Sequence, residues 1–231
     1  MTKYHEIFTR SRDHKTHIMG LYDLIYYLNY HFDVSKASMA EIGVYAGQST
    51  HIFSQYFKKV HAVDPWINDE EYLDDMKEVE KVFDTFKAKN VKKYKKTSIE
   101  AVKDIKDKSL DFVYIDARHE LEYVLEDIDN WLPKLKDNGW IGGHDFYLHP
   151  VTEPWVANAV TQRFNIGDVV CFQDCSWLVK ANNPPEKFTF KNYLPPPMDE
   201  MGPDGKWRAT TEHILKGLYL PTKHFCRWPE L

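Results

Sequence analysis

Apolar positions along this chain recur with two spacings. Short runs suit strands: Ala40 to Gly43, Val60 to Val63, Leu110 to Ile115 (LDFVYI) and Trp140 to Gly143. Between them lie stretches with helical spacing. Ser49 to Phe57 is one. Residues 69–89 form another, with Leu73, Met76, Val79, Val82, Phe83 and Phe86 on one stripe. Residues 119–136 form a third, with Leu121, Val124, Leu125, Ile128, Trp131 and Leu135 on one face, and residues 151–164 a fourth. Residues 18–32 predict a buried helix ahead of the first strand. Lys92 to Lys96 reads as a third strand, and Ser98 as the N-cap of a short helix after it. Asp168 to Phe172 and Ser176 to Lys180 read as a strand pair that closes the sheet. Alternating strands and helices imply βαβ units and a mainly parallel α/β sheet.

The pattern stops at Asn182. Residues 183–205 carry Pro184, Pro185, Pro195, Pro196, Pro197 and Pro203, which predicts an extended segment. Trp207 to Leu231 is short and aromatic, suited to a lid, a dimer arm or a clasp. The division expected is one domain over residues 1–182, with a helical extension over about 1–34, and a Pro- and aromatic-rich extension over 183–231.

Composition narrows the function classes. The net charge of -5 provides no basic footprint for nucleic acid. The run Lys92, Lys93, Lys95, Lys96 reads as a solvated strand edge. Cys171, Cys175 and Cys226 are odd in number and contain no CxxC pair, against a disulfide framework or a zinc knuckle. No apolar run approaches the ~20 residues needed to span a bilayer. The expectation is a soluble, cytoplasmic protein without a membrane or nucleic-acid partner, for which a homo-oligomer stays an option.

Ligands of open α/β sheets bind outside the carboxyl ends of the strands. The first strand is followed by Glu41-Ile42-Gly43-Val44-Tyr45-Ala46-Gly47-Gln48-Ser49-Thr50. Gly43 and Gly47 allow close backbone approach, and Ser49 opens a helix whose N–H groups suit a carboxylate. This is not the GxGxxG of dinucleotide enzymes. Asp64 ends the second strand, about 20 residues past the first glycine, where a carboxylate accepts ribose hydroxyls. Thr97-Ser98 ends the third, placed for an adenine edge. The set predicts a nucleoside-type cofactor.

E-I-G-V-Y-A-G-Q-S-T resembles the first motif of class I S-adenosylmethionine (SAM)-dependent methyltransferases, especially the catechol O-methyltransferase-like branch. VHAVDPW is similar to their acidic second motif. S-L-D-F-V-Y-I-D-A-R-H-E and W-L-P-K-L-K-D-N-G-W-I-G-G-H-D-F resemble the macrolide-sugar (macrocin-type) O-methyltransferases. The resemblance spans residues 35–181. It implies a Rossmann-like sheet of seven strands in the order 3-2-1-4-5-7-6, strand seven antiparallel, flanked by helices. It implies that Glu41, Gly43, Tyr45, Gly47, Ser49, Asp64, Ser98 and Asp116 line the SAM site.

Asp116 ends strand four, with His119 three residues on, and His144-Asp145 ends strand five. These side chains are expected to converge beside the transferred methyl. A divalent cation on Asp116 and Asp145 would lower the pKa of an acceptor hydroxyl, and His119 would take its proton. Oxygen ligands suit Mg²⁺, and His144 would add a nitrogen ligand. In the catechol family a lysine stands at the position of His119, and an asparagine ligand at that of Phe146. In the macrolide-sugar family the strand-five pair is Asp-Asp where His144-Asp145 stands here. The function expected is O-methylation of a small hydroxylated acceptor, a sugar ahead of a catechol. The alternatives are a nicotinamide-dependent oxidoreductase and a non-catalytic SAM-binding partner subunit.

Overall fold

The computed structural model describes residue 7 and residues 15–68, 75–146, 155–172 and 174–182, with the short strands at 200–201 and 207–208. Helix α1 (Lys15–His31) leads into strand β1 (Ser38–Ile42), then α2 (Gln48–Tyr56), β2 (Lys59–Asp64), α3 (Met76–Phe86) and β3 (Val91–Lys95). The second half runs α4 (Ser98–Ala101), β4 (Leu110–Ile115), α5 (Leu121–Trp131), β5 (Leu135–Gly143), α6 (Trp155–Arg163), β6 (Val170–Cys171) and β7 (Trp177–Lys180). Seven strands form one sheet in the order β3-β2-β1-β4-β5-β7-β6, with β7 antiparallel to both neighbours. This is the class I methyltransferase topology that the resemblance of the motifs implies. A separate antiparallel pair joins β8 (Glu200–Met201) to β9 (Trp207–Arg208).

Strand alternation builds the two core layers. In β4, Phe112 and Tyr114 face one layer with Leu21, Leu24, Phe53 and Val79. Val113 and Ile115 face the other, with Val124, Ile128, Trp131 and Val160. Both faces of a central strand are thus apolar, as a sheet covered on both sides requires. Each fully buried Leu or Phe contributes about 1.5–3 kcal/mol relative to exposure.

Several boundaries differ from the sequence reading. The helix expected over 119–136 ends at Trp131, because Pro133 stops it through a short 3-10 turn. Leu135 therefore opens β5 rather than closing the helix face, and β5 is longer than Trp140–Gly143. Thr97, not Ser98, caps α4: its N–H and hydroxyl both donate to Glu100, at 3.1 and 2.9 Å. The helix expected over 69–89 spans Met76–Phe86, and residues 69–74 with Leu73 lie outside the described residues. The helix of residues 18–32 is not buried all round. Leu21, Leu24, Ile25 and Leu28 enter the core, while Tyr26 and Tyr30 stand in solvent. The lysine run does lie on an edge strand, but Lys93 is held by Glu80 and Asp84, each at 2.7 Å, and Lys95 by Glu80 at 2.6 Å. The expectations for residues 183–199, 202–206 and 209–231 fall outside the described residues. Among the described residues no helix is long and apolar enough to cross a membrane.

Candidate active site

The strand order reverses between β1 and β4, and their chain directions diverge beyond the carboxyl ends. A crevice of about 300 Å³ opens there, lined among others by Gly43, Tyr45, Asp64, Asn68, Ser98 and Asp116. This is the switch-point position where open α/β sheets bind ligands.

The loop after β1 forms one wall. Gly43 has φ +84°, and a Cβ there would lie 2.0 Å from the carbonyl oxygen of Asp116. Only glycine meets both demands, so β1 and β4 approach closely at the floor of the crevice. Asp64 reaches over from β2. Its Oδ2 accepts the N–H of Val44 at 3.0 Å and of Tyr45 at 2.9 Å, and its Oδ1 accepts Trp66 N–H at 2.7 Å. Burial pushes the Asp64 carboxyl up, opposed by these three N–H groups. Tyr45 (φ 52°) and Trp66 (φ 47°) both sit in the left-handed region, a strained conformation that the Asp64 bonds hold in place. Trp66 Nε1 donates to Tyr45 O at 2.9 Å, tying the two loops together.

Two predicted residues are turned inward. Glu41 is fully buried, and its carboxylate accepts the hydroxyls of Ser49 and Thr50, each at 2.5 Å. Glu41 and Ser49 thus brace β1 against the start of α2. Gly47 (φ +82°) is the left-handed N-cap of α2 and packs on Phe83. None of the three lines the crevice. Ser98 lines it, yet its hydroxyl donates to Asp127 and accepts from Trp131 Nε1, the latter at 2.8 Å. Burial pushes the Asp127 carboxyl up to about 6, against the Ser98 hydrogen bond.

The second cluster sits where β4 and β5 end side by side. His144 N–H donates to Ile115 O at 3.1 Å, joining the two strand ends. Gly143 makes room, since a Cβ there would lie 2.2 Å from Ile115 O. Asp145 has φ 60° and turns its carboxylate towards His119 Nε2 at 2.9 Å and His144 Nδ1 at 3.2 Å. His119 Nε2 is also 3.8 Å from Asp116 Oδ1. One ligand atom each from Asp116, His144 and Asp145 lies within 4.8 Å of the others, a donor set of two carboxylate oxygens and one imidazole nitrogen suited to a divalent cation. The nearby carboxylates of Asp116 and then Asp145 push His119 up to about 10. Burial raises Asp145, but hydrogen bonds from His119 and His144 outweigh it and hold the carboxyl well below its ordinary range. In this arrangement His119 carries the positive charge that balances the two carboxylates.

Residues 40–146 match the family model of the methyltransferase domain. The matched segment carries a methyltransferase domain, in the class I strand order. The methyltransferase domain spans every strand end just described, from Glu41 to Asp145. A stretch of 51 residues is 41% identical to the uncharacterized protein y4gI of Sinorhizobium fredii. It covers 22% of this chain and 6% of that protein, so the chain spans a small part of the curated relative it matches. The fold is similar to that of cofactor-bound Rv0187 from MTB, at 13% identity and a TM-score of 0.51, covering 74% of this chain and 83% of that one. It is equally similar to the N-methyltransferase NodS of Bradyrhizobium japonicum in complex with S-adenosyl-l-homocysteine, at 13% identity and a TM-score of 0.51, covering 76% of this chain and 93% of that one.

Sequence reasoning missed some of the residues that shape the methyltransferase site. Trp66, Ile67 and Asn68 lie on the loop after β2, two to four residues past Asp64 and just beyond Pro65, so the whole loop carries the signal. Arg118 lines the crevice between Ala117 and the His119 cluster, in charge contact with Glu120 at 2.6 Å and over the Tyr123 ring at 4.3 Å. Asp127 had no signal at all, since it reads as one more charge on an amphipathic helix.

Proposed function

We propose that this chain transfers the methyl group of SAM to a hydroxyl of a small acceptor, a sugar ahead of a catechol, with a divalent cation held by Asp116, His144 and Asp145. The observation that carries the reading is the convergence of those three donors at the mouth of the crevice that Asp116 also lines.

The crevice fits the cofactor. Its floor is backbone, kept open by Gly43, and its wall is set by Asp64, which has spent three lone-pair sites on the loop and keeps about one for a ribose hydroxyl. The Ser98 hydroxyl is committed to Asp127, so the backbone N–H of this residue is its group for an adenine edge. SAM supplies the methyl as a sulfonium whose charge is lost on transfer, so the barrier lies in activating the acceptor oxygen. A divalent cation supplies positive charge that lowers the pKa of an alcohol. Asp116 and Asp145, from adjacent strand ends, hold that charge beside the crevice. With a cation on those carboxylates, His119 would no longer be needed to balance them and could take the proton of the acceptor hydroxyl.

The preference for a sugar rests on the resemblance to the macrolide-sugar family, and Phe146 departs from the catechol pattern. It stands where the catechol family has its asparagine ligand, and here it is buried in the core at 3% exposure. The chain's His144-Asp145 pair instead occupies the position of the macrolide-sugar pair.

The test is calorimetry with S-adenosylhomocysteine, with and without EDTA, alongside methyl transfer to a panel of sugars and catechols. Expected are micromolar cofactor binding, roughly -8 kcal/mol, that EDTA changes less than tenfold, and turnover that EDTA abolishes and Mg²⁺ or Mn²⁺ restores. Full turnover in EDTA overturns the cation. Tight cofactor binding with no turnover on any acceptor points to a non-catalytic partner subunit.

A further inference from the structure

Behind the cation cluster lies a buried carboxylate that the mechanism above does not use. Asp174, on the turn between β6 and β7, is 3% exposed. Its Oδ1 accepts Ser176 N–H at 3.1 Å, and its Oδ2 accepts the Ser176 hydroxyl at 2.9 Å. The Ser176 oxygen is in turn 3.0 Å from the hydroxyl of Tyr114, near the carboxyl end of β4. His144 Nε2 is buried and lies 3.9 Å from Asp174 Oδ2. His144 thus has a carboxylate beyond each ring nitrogen, Asp145 at Nδ1 and Asp174 at Nε2.

The surrounding chain is built to keep Asp174 there. Gly20 stands inside α1, where glycine costs about 1 kcal/mol relative to alanine. A Cβ at Gly20 would lie 2.1 Å from Asp174 Oδ1, so the glycine lets the helix seal this carboxylate from water. Phe146 N–H donates to Cys175 O at 2.9 Å, locking the Asp174 turn to the residues after His144. A turn-forming Asp on an exposed loop needs neither feature.

We propose that Asp174 is a positioning residue for His144: it holds the imidazole with Nε2 towards the buried carboxylate and Nδ1 towards the space shared by Asp116 and Asp145. The separation of 3.9 Å exceeds a direct hydrogen bond, but the low dielectric of a sealed site carries the carboxylate's field across it. A carboxylate behind a histidine orients the ring and makes its other nitrogen a better donor. The consequence for cation affinity rests on the function proposed above; the ring orientation does not.

The test uses the cation-free full chain with ¹⁵N-labelled histidine and long-range ¹H–¹⁵N NMR at one fixed pH. In the wild type, Nε2 of His144 is expected to carry a proton. In Asp174→Leu that proton is expected on Nδ1 alone, facing Asp145, and in Asp174→Asn, whose amide oxygen still accepts, the wild-type pattern is expected to persist in part. Mn²⁺ binding should weaken about 10–100-fold in Asp174→Leu and less in Asp174→Asn, with S-adenosylhomocysteine affinity within twofold throughout. A bare Nε2 in the wild type, or an unchanged spectrum in folded Asp174→Leu, overturns the proposal. If Asp174→Leu does not fold, the wild-type spectrum and Asp174→Asn decide. If Mn²⁺ does not bind the wild type, the cation reading falls while the NMR result still judges Asp174.

Discussion

Asp64 Oδ2, at the end of β2, accepts the backbone N–H of Tyr45, on the loop after β1, at 2.9 Å. One carboxylate therefore fixes the shape of the crevice wall. A residue whose position suggests only a ribose contact is also a brace for two left-handed residues, Tyr45 and Trp66.

Asp64→Ala should consequently harm the apo protein as well as the complex. Three N–H groups lose their acceptor, which costs about 1–3 kcal/mol in unfolding free energy after water partly compensates. Denaturant unfolding of the apo chain and calorimetry with S-adenosylhomocysteine measure the two effects. Binding that weakens with no change in apo stability would mean that Asp64 acts on the ribose alone.

Asp127 makes stability fall as pH rises through weak acid. Burial raises its folded pKa to about 6, above the unfolded value near 4. The folded state therefore binds more protons between the two values. Its favourable contribution is complete below pH ~4 and is lost as pH rises through ~6. Asp127→Asn keeps an acceptor for the Ser98 hydroxyl without the charge. At pH 7.5 it should raise Tm by about 2–4 °C, corresponding to on the order of 1 kcal/mol for a chain of this size. A lower Tm at that pH would show that the ionised carboxylate is favourable in the fold.

His61 acts in the opposite sense over the same range. Burial first, then Lys59 and Lys92, lower its pKa to about 4, while its Nδ1 meets the Tyr94 hydroxyl at 2.8 Å. The unfolded state binds more protons between pH ~4 and ~6.5. The stability from the neutral ring is thus present above ~6.5 and lost as pH falls through ~4. His61→Phe should flatten the acid limb of the stability curve, and Asp127→Asn should steepen it, because the wild-type curve holds both slopes. Urea melts from pH 4 to 7 on the two variants read this directly. Parallel curves for the wild type and His61→Phe would rule out a neutral buried His61.

Asp145→Ala removes the carboxylate that both His119 and His144 face. It is expected to lower methyl transfer by about 10²–10³, the range for losing one electrostatic group at a reacting centre. Cofactor affinity should stay within tenfold, because Asp145 does not line the crevice. Single-turnover kinetics with saturating cofactor check this. Turnover within threefold of the wild type would remove Asp145 from the chemistry.

Much of the frame was legible in the residues. LDFVYI bounds β4 to the residue, because a strand covered on both faces is a nearly continuous apolar run, broken here only by Asp111 near its start. The alternation of strand and helix, read with the resemblance of the motifs, placed seven strands in order. The residues after β1, β2, β4 and β5 stand out simply because ligands gather at strand ends. Leu135 was misread because an apolar residue after Trp131 continues a helical stripe and begins a strand equally well, and Pro133 is the residue that separates the two.

What the sequence determined by itself, then, is which segments are strands and which are helices, which faces are apolar and which loops follow the strands, since periodicity and turn chemistry are local. Only the tertiary structure decided what each polar group is spent on. Glu41 is taken up by Ser49 and Thr50, Ser98 by Asp127 across 29 residues, and Asp64 by the N–H groups of a loop 19 and 20 residues earlier. Asp174 faces His144 because the antiparallel return of β7 beside β5 brings the β6–β7 turn behind the end of β5. A buried polar group must find a partner wherever packing places one, and that partner carries no mark in the linear order of the chain.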